Sequence, residues 1–86
     1  MFKMNVVTDY ICNKYYYVVY KNNYLTESTQ GLLLSYVGGN IILLADDGVY
    51  HIKNNDILLM KPINDFPLEK CSQEFQKLIK LFDKDE

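Results

Sequence analysis

The sequence predicts a mainly β fold with one C-terminal helix, in which about five antiparallel strands form a small barrel that an amphipathic helix closes. Two observations lead there. Residues 28–45 carry no charge yet are interrupted by Gly38-Gly39, with apolar strands on both sides, and a second turn signal follows at Asp47-Gly48. After Pro62 the apolar spacing changes from two residues to three and four.

The 86 residues suit a single domain, with the barrel over 1–63 and the amphipathic helix and acidic tail over 64–86. A core this small barely offsets the ordering cost, so each apolar run needs a place to dock. The net charge is −2 and every basic residue is Lys, so no Arg fork is present to grip phosphate or guanine. That disfavours RNA as a partner. Cys12 and Cys71 lie far apart without a CxxC spacing, and polar residues break up 1–9, so reduced thiols and a cytoplasmic location are expected. The scarcity of Ala, Gly and Pro beside many Lys, Asn, Ile and Tyr is what A+T-rich codons produce. Such a bias fits a low-G+C bacterium or one of its phages or other mobile elements.

Residues 28–45 approach the ~18–20 needed to cross a bilayer. Gly-Gly at the middle argues instead for a hairpin, and no membrane partner is expected. Folding at Gly38-Gly39 pairs Val37 with Asn40, Tyr36 with Ile41, Ser35 with Ile42, Leu34 with Leu43 and Leu33 with Leu44. One face then holds Leu32, Leu34, Tyr36, Ile41 and Leu43. Folding at Asp47-Gly48 pairs Ala45 with Tyr50, Leu44 with His51 and Leu43 with Ile52. Both registers place Leu43 on the apolar face and Leu44 on a mixed one.

Upstream, residues 14–20 are rich in Tyr and Val and are followed by a turn signal at Asn22-Asn23. Both faces there are partly apolar and leave the register open. Downstream, Asn54-Asn55-Asp56 makes a short turn into a last strand over 57–61 that ends at Pro62. Then Leu68, Cys71, Phe75, Leu78, Ile79 and Phe82 recur at helical spacing, with Asn64 or Asp65 as N-cap and Pro67 in the first turn. Early Asp65 and Glu69 and late Lys77, Lys80 and Lys84 suit the helix dipole.

Five strands with one very short final connection is the order of an SH3-like barrel. Gly31, Leu33 or Leu34, Tyr36, Asn40 and the apolar run 41–44 resemble the first signature of the Sm-like proteins. The resemblance spans roughly residues 14–60 and implies a small barrel of the kind that often assembles by edge pairing into rings. In that family an Asp and an Asn flank this turn and hold a base; here only Asn40 matches, and Val37 stands where the Asp is expected. Asn54-Asn55 occupies the place of the family's second signature.

No catalytic constellation is visible: a single His serves the whole chain, with no HExxH, P-loop, GxGxxG or nucleophile elbow. The chain therefore reads as a non-enzyme without a cofactor. His51 falls on the mixed face, where an exposed or partner-facing imidazole is expected. Asp46 and Asp47 are explained by turn chemistry, and a lone pair of acids supplies too few oxygens for a metal. Tyr10, Tyr15, Tyr16, Tyr17, Tyr20 and Tyr24 crowd residues 10–24. Tyr suits interfaces and half-buried strands equally, and with Lys14 and Lys21 it also offers a stacking platform for single strands.

These features point to a small protein-interaction or regulatory module that binds a protein partner or a second copy, an inhibitor or adaptor from a phage or other mobile element being the special case. Its candidate partner-binding residues are Tyr16, Tyr20, Leu33, Ile42, Leu44 and His51, because aliphatic side chains on a second sheet face need a cover. The alternative is an Sm-like RNA-binding ring.

Overall fold

The structure, a computed structural model, describes residues 10–83. The stretch 1–9 and the end of the acidic tail lie outside the described residues. Strands β1 (Tyr15–Asn22), β2 (Leu25–Val37), β3 (Asn40–Ala45), β4 (Gly48–Ile52) and β5 (Ile57–Pro62) precede helix α1 (Gln73–Asp83). They form one antiparallel sheet in the order β4-β3-β2-β1-β5. The expected barrel is not closed. Closure requires a ladder between β4 and β5, but β4 pairs with β3 and β5 with β1.

The long β2 belongs to both halves of the sheet. Its residues 25–32 pair with β1 and its residues 31–37 with β3, so that only Gly31 and Leu32 lie in both ladders. Gly31 is required there by space: a Cβ would run into the Leu44 carbonyl of β3. The sheet curls, because Ile52 of β4 and Met60 of β5, at opposite ends of the strand order, join one cluster with Tyr16, Val18, Tyr20, Leu33, Ile41 and Leu43. Tyr10 caps this inner cluster, edge-on to the rings of Tyr16 and Tyr36 at 5.4 and 5.3 Å. The register left open in β1 is thereby settled: Tyr16, Val18 and Tyr20 point in.

Both hairpin registers differ from expectation in an instructive way. The β2–β3 pairing begins as predicted, with Val37 opposite Asn40, Tyr36 opposite Ile41 and Ser35 opposite Ile42. A bulge at Leu34 then inserts one residue, setting Leu33 opposite Leu43 and Leu32 opposite Leu44. Leu33 therefore joins the inner core, while Leu32 and Leu34 move to the outer face. At the next turn Asp46-Asp47 are the loop and Gly48 opens β4, so Leu43 faces Tyr50 rather than Ile52. That slip is two residues, and an even slip leaves each side chain on its predicted face. The first turn uses Asn23-Tyr24, with Asn23 in the left-handed region at φ 61°.

The outer face is covered by α1. Phe75 and Ile79, one turn apart, pack on Leu32 and Leu44. Each such burial contributes about 1.5–3 kcal/mol. The helix starts later than the apolar spacing suggests. Leu68–Lys70 is a 3-10 turn and Cys71 is extended, at φ −86° and ψ 170°, so Asn64 and Asp65 are not caps. Ser72 is the cap, its Oγ accepting the Phe75 amide at 3.1 Å. Tyr15 stacks on Phe66 with ring centroids 4.2 Å apart, sealing the approach to α1. Among the described residues no helix is long and apolar enough to cross a membrane.

Candidate functional site

The helix does not reach the whole outer face. Its N-terminus is pinned beside the β3–β4 turn, where Asp46 Oδ1 accepts the Ser72 amide at 3.0 Å, and its buried side chains cover the Leu44 end of β3. Along β3 the side chains alternate, so Ile42 shares the outer face with Leu44 but lies toward the opposite end. Ser35, Ile42 and His51 form one rung across β2, β3 and β4. With Val37, Asn40 and Lys53 they line a depression of about 350 Å³. Its floor is apolar, and the imidazole and ammonium stand on the β4 side.

A second depression of about 290 Å³ lies toward the helix, between Val49, Leu44, Phe75 and Leu78. Val37 is 71 % exposed, Val49 52 % and Leu78 42 %. The two depressions share no lining residue but lie on successive outer-face rungs, Ile42 with His51 and Leu44 with Val49, so that apolar side chains follow one another in a strip along β3 and β4 with basic residues at one end and Asp46, Asp47 and Glu74 at the other.

Of the residues singled out in the sequence, only Ile42 and His51 come together on an open surface. Tyr16, Tyr20 and Leu33 lie in the inner core and Leu44 lies beneath the helix. None of these four presents its side chain to a partner in this conformation, because the curl buries one face of the sheet and α1 much of the other. In place of those four, Val37, Val49, Leu78 and Lys53, which are not among the candidate residues, supply the open surface. The signal for Val49 was available, since it alternates with His51 along β4.

The tyrosines are largely engaged within the chain. Tyr16 accepts the Ile11 amide at 2.9 Å, Tyr20 donates to Glu27 at 3.1 Å and Tyr50 donates to Asp47 at 2.8 Å. Burial, helped by Glu27, pushes the Tyr20 phenol above its ordinary range. The hydrogen bond to Asp47 does the same for Tyr50, followed by burial, with Thr29 opposing. Lys61 sits 5.9 Å from the ring centre of Tyr17. Only Tyr24, at the tip of the β1–β2 turn, is bare.

Both cysteines are free, and burial raises the Cys71 thiol, which keeps it protonated and poorly nucleophilic. Among the described residues no group of three His, Cys, Asp or Glu is placed to hold a metal ion. Asn40 Oδ1 accepts the Asn54 amide at 2.8 Å and so bolts the β2–β3 turn to the β4–β5 connection. Comparison with known protein families, curated proteins and solved structures finds no match for this chain.

Proposed function

We propose that this chain is a non-enzymatic protein-interaction module of regulatory kind, which holds a protein partner on the outer face of β3 and β4. The observation that carries the reading is the apolar strip left bare by the chain's own helix, with Val37, Ile42 and Val49 along it and His51 and Lys53 at one end. A strip of this composition suits a protein segment with aliphatic anchors and an acidic end. The A+T-rich character of the composition adds an inhibitor or adaptor encoded by a phage or other mobile element as the special case.

The test is affinity capture with the intact chain and with a Val37→Asp, Val49→Asp variant whose fold is checked by circular dichroism. The reading expects a protein recovered by the first and lost by the second, with recovery little changed between low and high salt. Equal recovery by both chains would remove the outer face from consideration.

The alternative, an SH3-like or Sm-like fold acting as an RNA-binding ring, is supported by the strand order β4-β3-β2-β1-β5 and by the single 3-10 turn, Asn54–Asp56, that leads into β5. Against it stand the absence of Arg and the engagement of Asn40 with Asn54. RNA in the same capture, lost steeply as salt rises, would favour this alternative.

A further inference from the structure

Among the described residues no strand pairs with the outer edge of β4 or of β5, and the two edges differ. Natural sheets guard an open edge with Lys, Pro or a bulge, because its unpaired amides and carbonyls recruit another strand. β5 has such guards: Lys61, Pro62 at its end, and a register shift against β1. β4 reads Gly-Val-Tyr-His-Ile, with no Lys, no Pro and an unbroken ladder to β3. Its backbone is ready to pair.

Which groups face outward follows from the turn. In a two-residue hairpin the flanking pair, here Ala45 and Gly48, exchanges both hydrogen bonds, and the pattern then alternates. Gly48, Tyr50 and Ile52 thus turn their backbone groups toward β3, leaving those of Val49 and His51 on the open side. Charge is also arranged along this edge. Asp46 and Asp47 precede β4 and Lys53 follows it with an extended backbone, at φ −76° and ψ 147°. Two such edges side by side in parallel set like charges together, whereas an antiparallel arrangement sets acid against base.

We infer that β4 is the interface to a second copy of this chain, with two β4 strands pairing antiparallel about a twofold axis at Tyr50. This register uses the whole strand. It sets Val49 opposite His51 of the second copy, as a hydrogen-bonded pair, and Asp47 opposite Lys53, each contact occurring twice by symmetry. The exposed Val49 gains cover from the second copy, and the two five-stranded sheets join into one. The inference concerns the edge and stands whether or not the outer face binds a different protein.

The experiment is sedimentation equilibrium of the intact chain, of Asp47→Lys, of Lys53→Asp and of an equimolar mixture of the two variants, each variant checked for folding by thermal melt. The wild type is expected to dimerise, each single variant to dissociate about tenfold more readily because two like-charge pairs replace two ion pairs, and the mixture to recover wild-type association as a heterodimer. Hydrogen exchange on the wild type decides independently of any variant: the Val49 and His51 amides should be protected at high concentration and exchange freely on dilution. A monomer at every concentration overturns the inference. So does a dimer whose Val49 and His51 amides stay unprotected, or variants that the mixture fails to rescue, as pairing of β4 with β5 would give.

Discussion

Asp46 Oδ1 and the amide of Ser72 meet at 3.0 Å across a sequence gap of 26 residues, and this contact fixes where the helix begins. The carboxylate takes the amide of the cap residue while the cap hydroxyl takes the amide of Phe75. One turn of the sheet thereby supplies negative charge at the positive end of α1. Ser72→Ala is expected to cost about 1 kcal/mol. Asp46→Ala should cost a similar or smaller amount, about 0.3–1 kcal/mol. Urea melts of both single variants and the double variant measure the coupling; additive losses would mean that the two bonds act separately.

Leu43→Ala and Leu44→Ala should both destabilise by about 2–5 kcal/mol, because each side chain is buried, on opposite faces of the same strand. The two differ in what fails. A charge at position 44 strips α1 from the sheet, so Leu44→Asp should lose protection of the helix amides before those of β1 and β5, while Leu43→Asp loses all together. Residue-resolved hydrogen exchange separates the patterns.

Gly31→Ala should cost more than about 2 kcal/mol, since the added methyl meets backbone that cannot swing aside. At Gly38, with φ of 62° and open space around it, Asn should be nearly neutral and Val should cost roughly 1–2 kcal/mol more. Thermal melts of the three variants check the order Gly38→Asn, Gly38→Val, Gly31→Ala.

Alkaline conditions should loosen the fold through Tyr20 and Tyr50. Each phenol holds its proton more tightly in the folded chain than its ordinary value of 10.0. The associated stability is full below about pH 10 and falls as pH rises through the folded-state values. Urea midpoints followed upward from neutral pH should drop, and the drop should be shallower in a Tyr20→Phe, Tyr50→Phe variant. An identical alkaline profile for both chains would mean that neither phenol contributes.

How much of this was legible depended on whether a signal survives small errors. The hairpin at Gly38-Gly39 was readable because glycines interrupt an otherwise uncharged apolar run. The faces of β3 and β4 were readable even though the turn was misplaced, since the slip is even. The bulge was not, because Leu32-Leu33-Leu34 carries no alternation that one extra residue could disturb. The late start of α1 was hidden because Leu68 and Cys71 keep helical spacing in a 3-10 turn and an extended residue. For the site, alternation along β4 put His51 on the same face as Ile42 and Leu44, but the two-residue slip moved its partner from Leu44 to Ile42, and Tyr16, Tyr20, Leu33 and Leu44 went inside once both faces of the curled sheet found cover.

The helix that shields Leu32 and Leu44 is also the last described element of the chain to be synthesised. At about 5–20 residues per second, the stretch from Pro62 to Asp83 takes roughly 1–4 s to translate. Until that stretch has been made and has docked, the sheet has a greasy underside with no helix to lay against it, next to an unguarded β4 edge. Copies whose helix has not yet docked therefore meet at their stickiest, and translation speed through the codons that follow Pro62 becomes a determinant of yield. Slowing those codons should lower the yield of folded protein, and speeding them should raise it, without any change in the amino acids encoded.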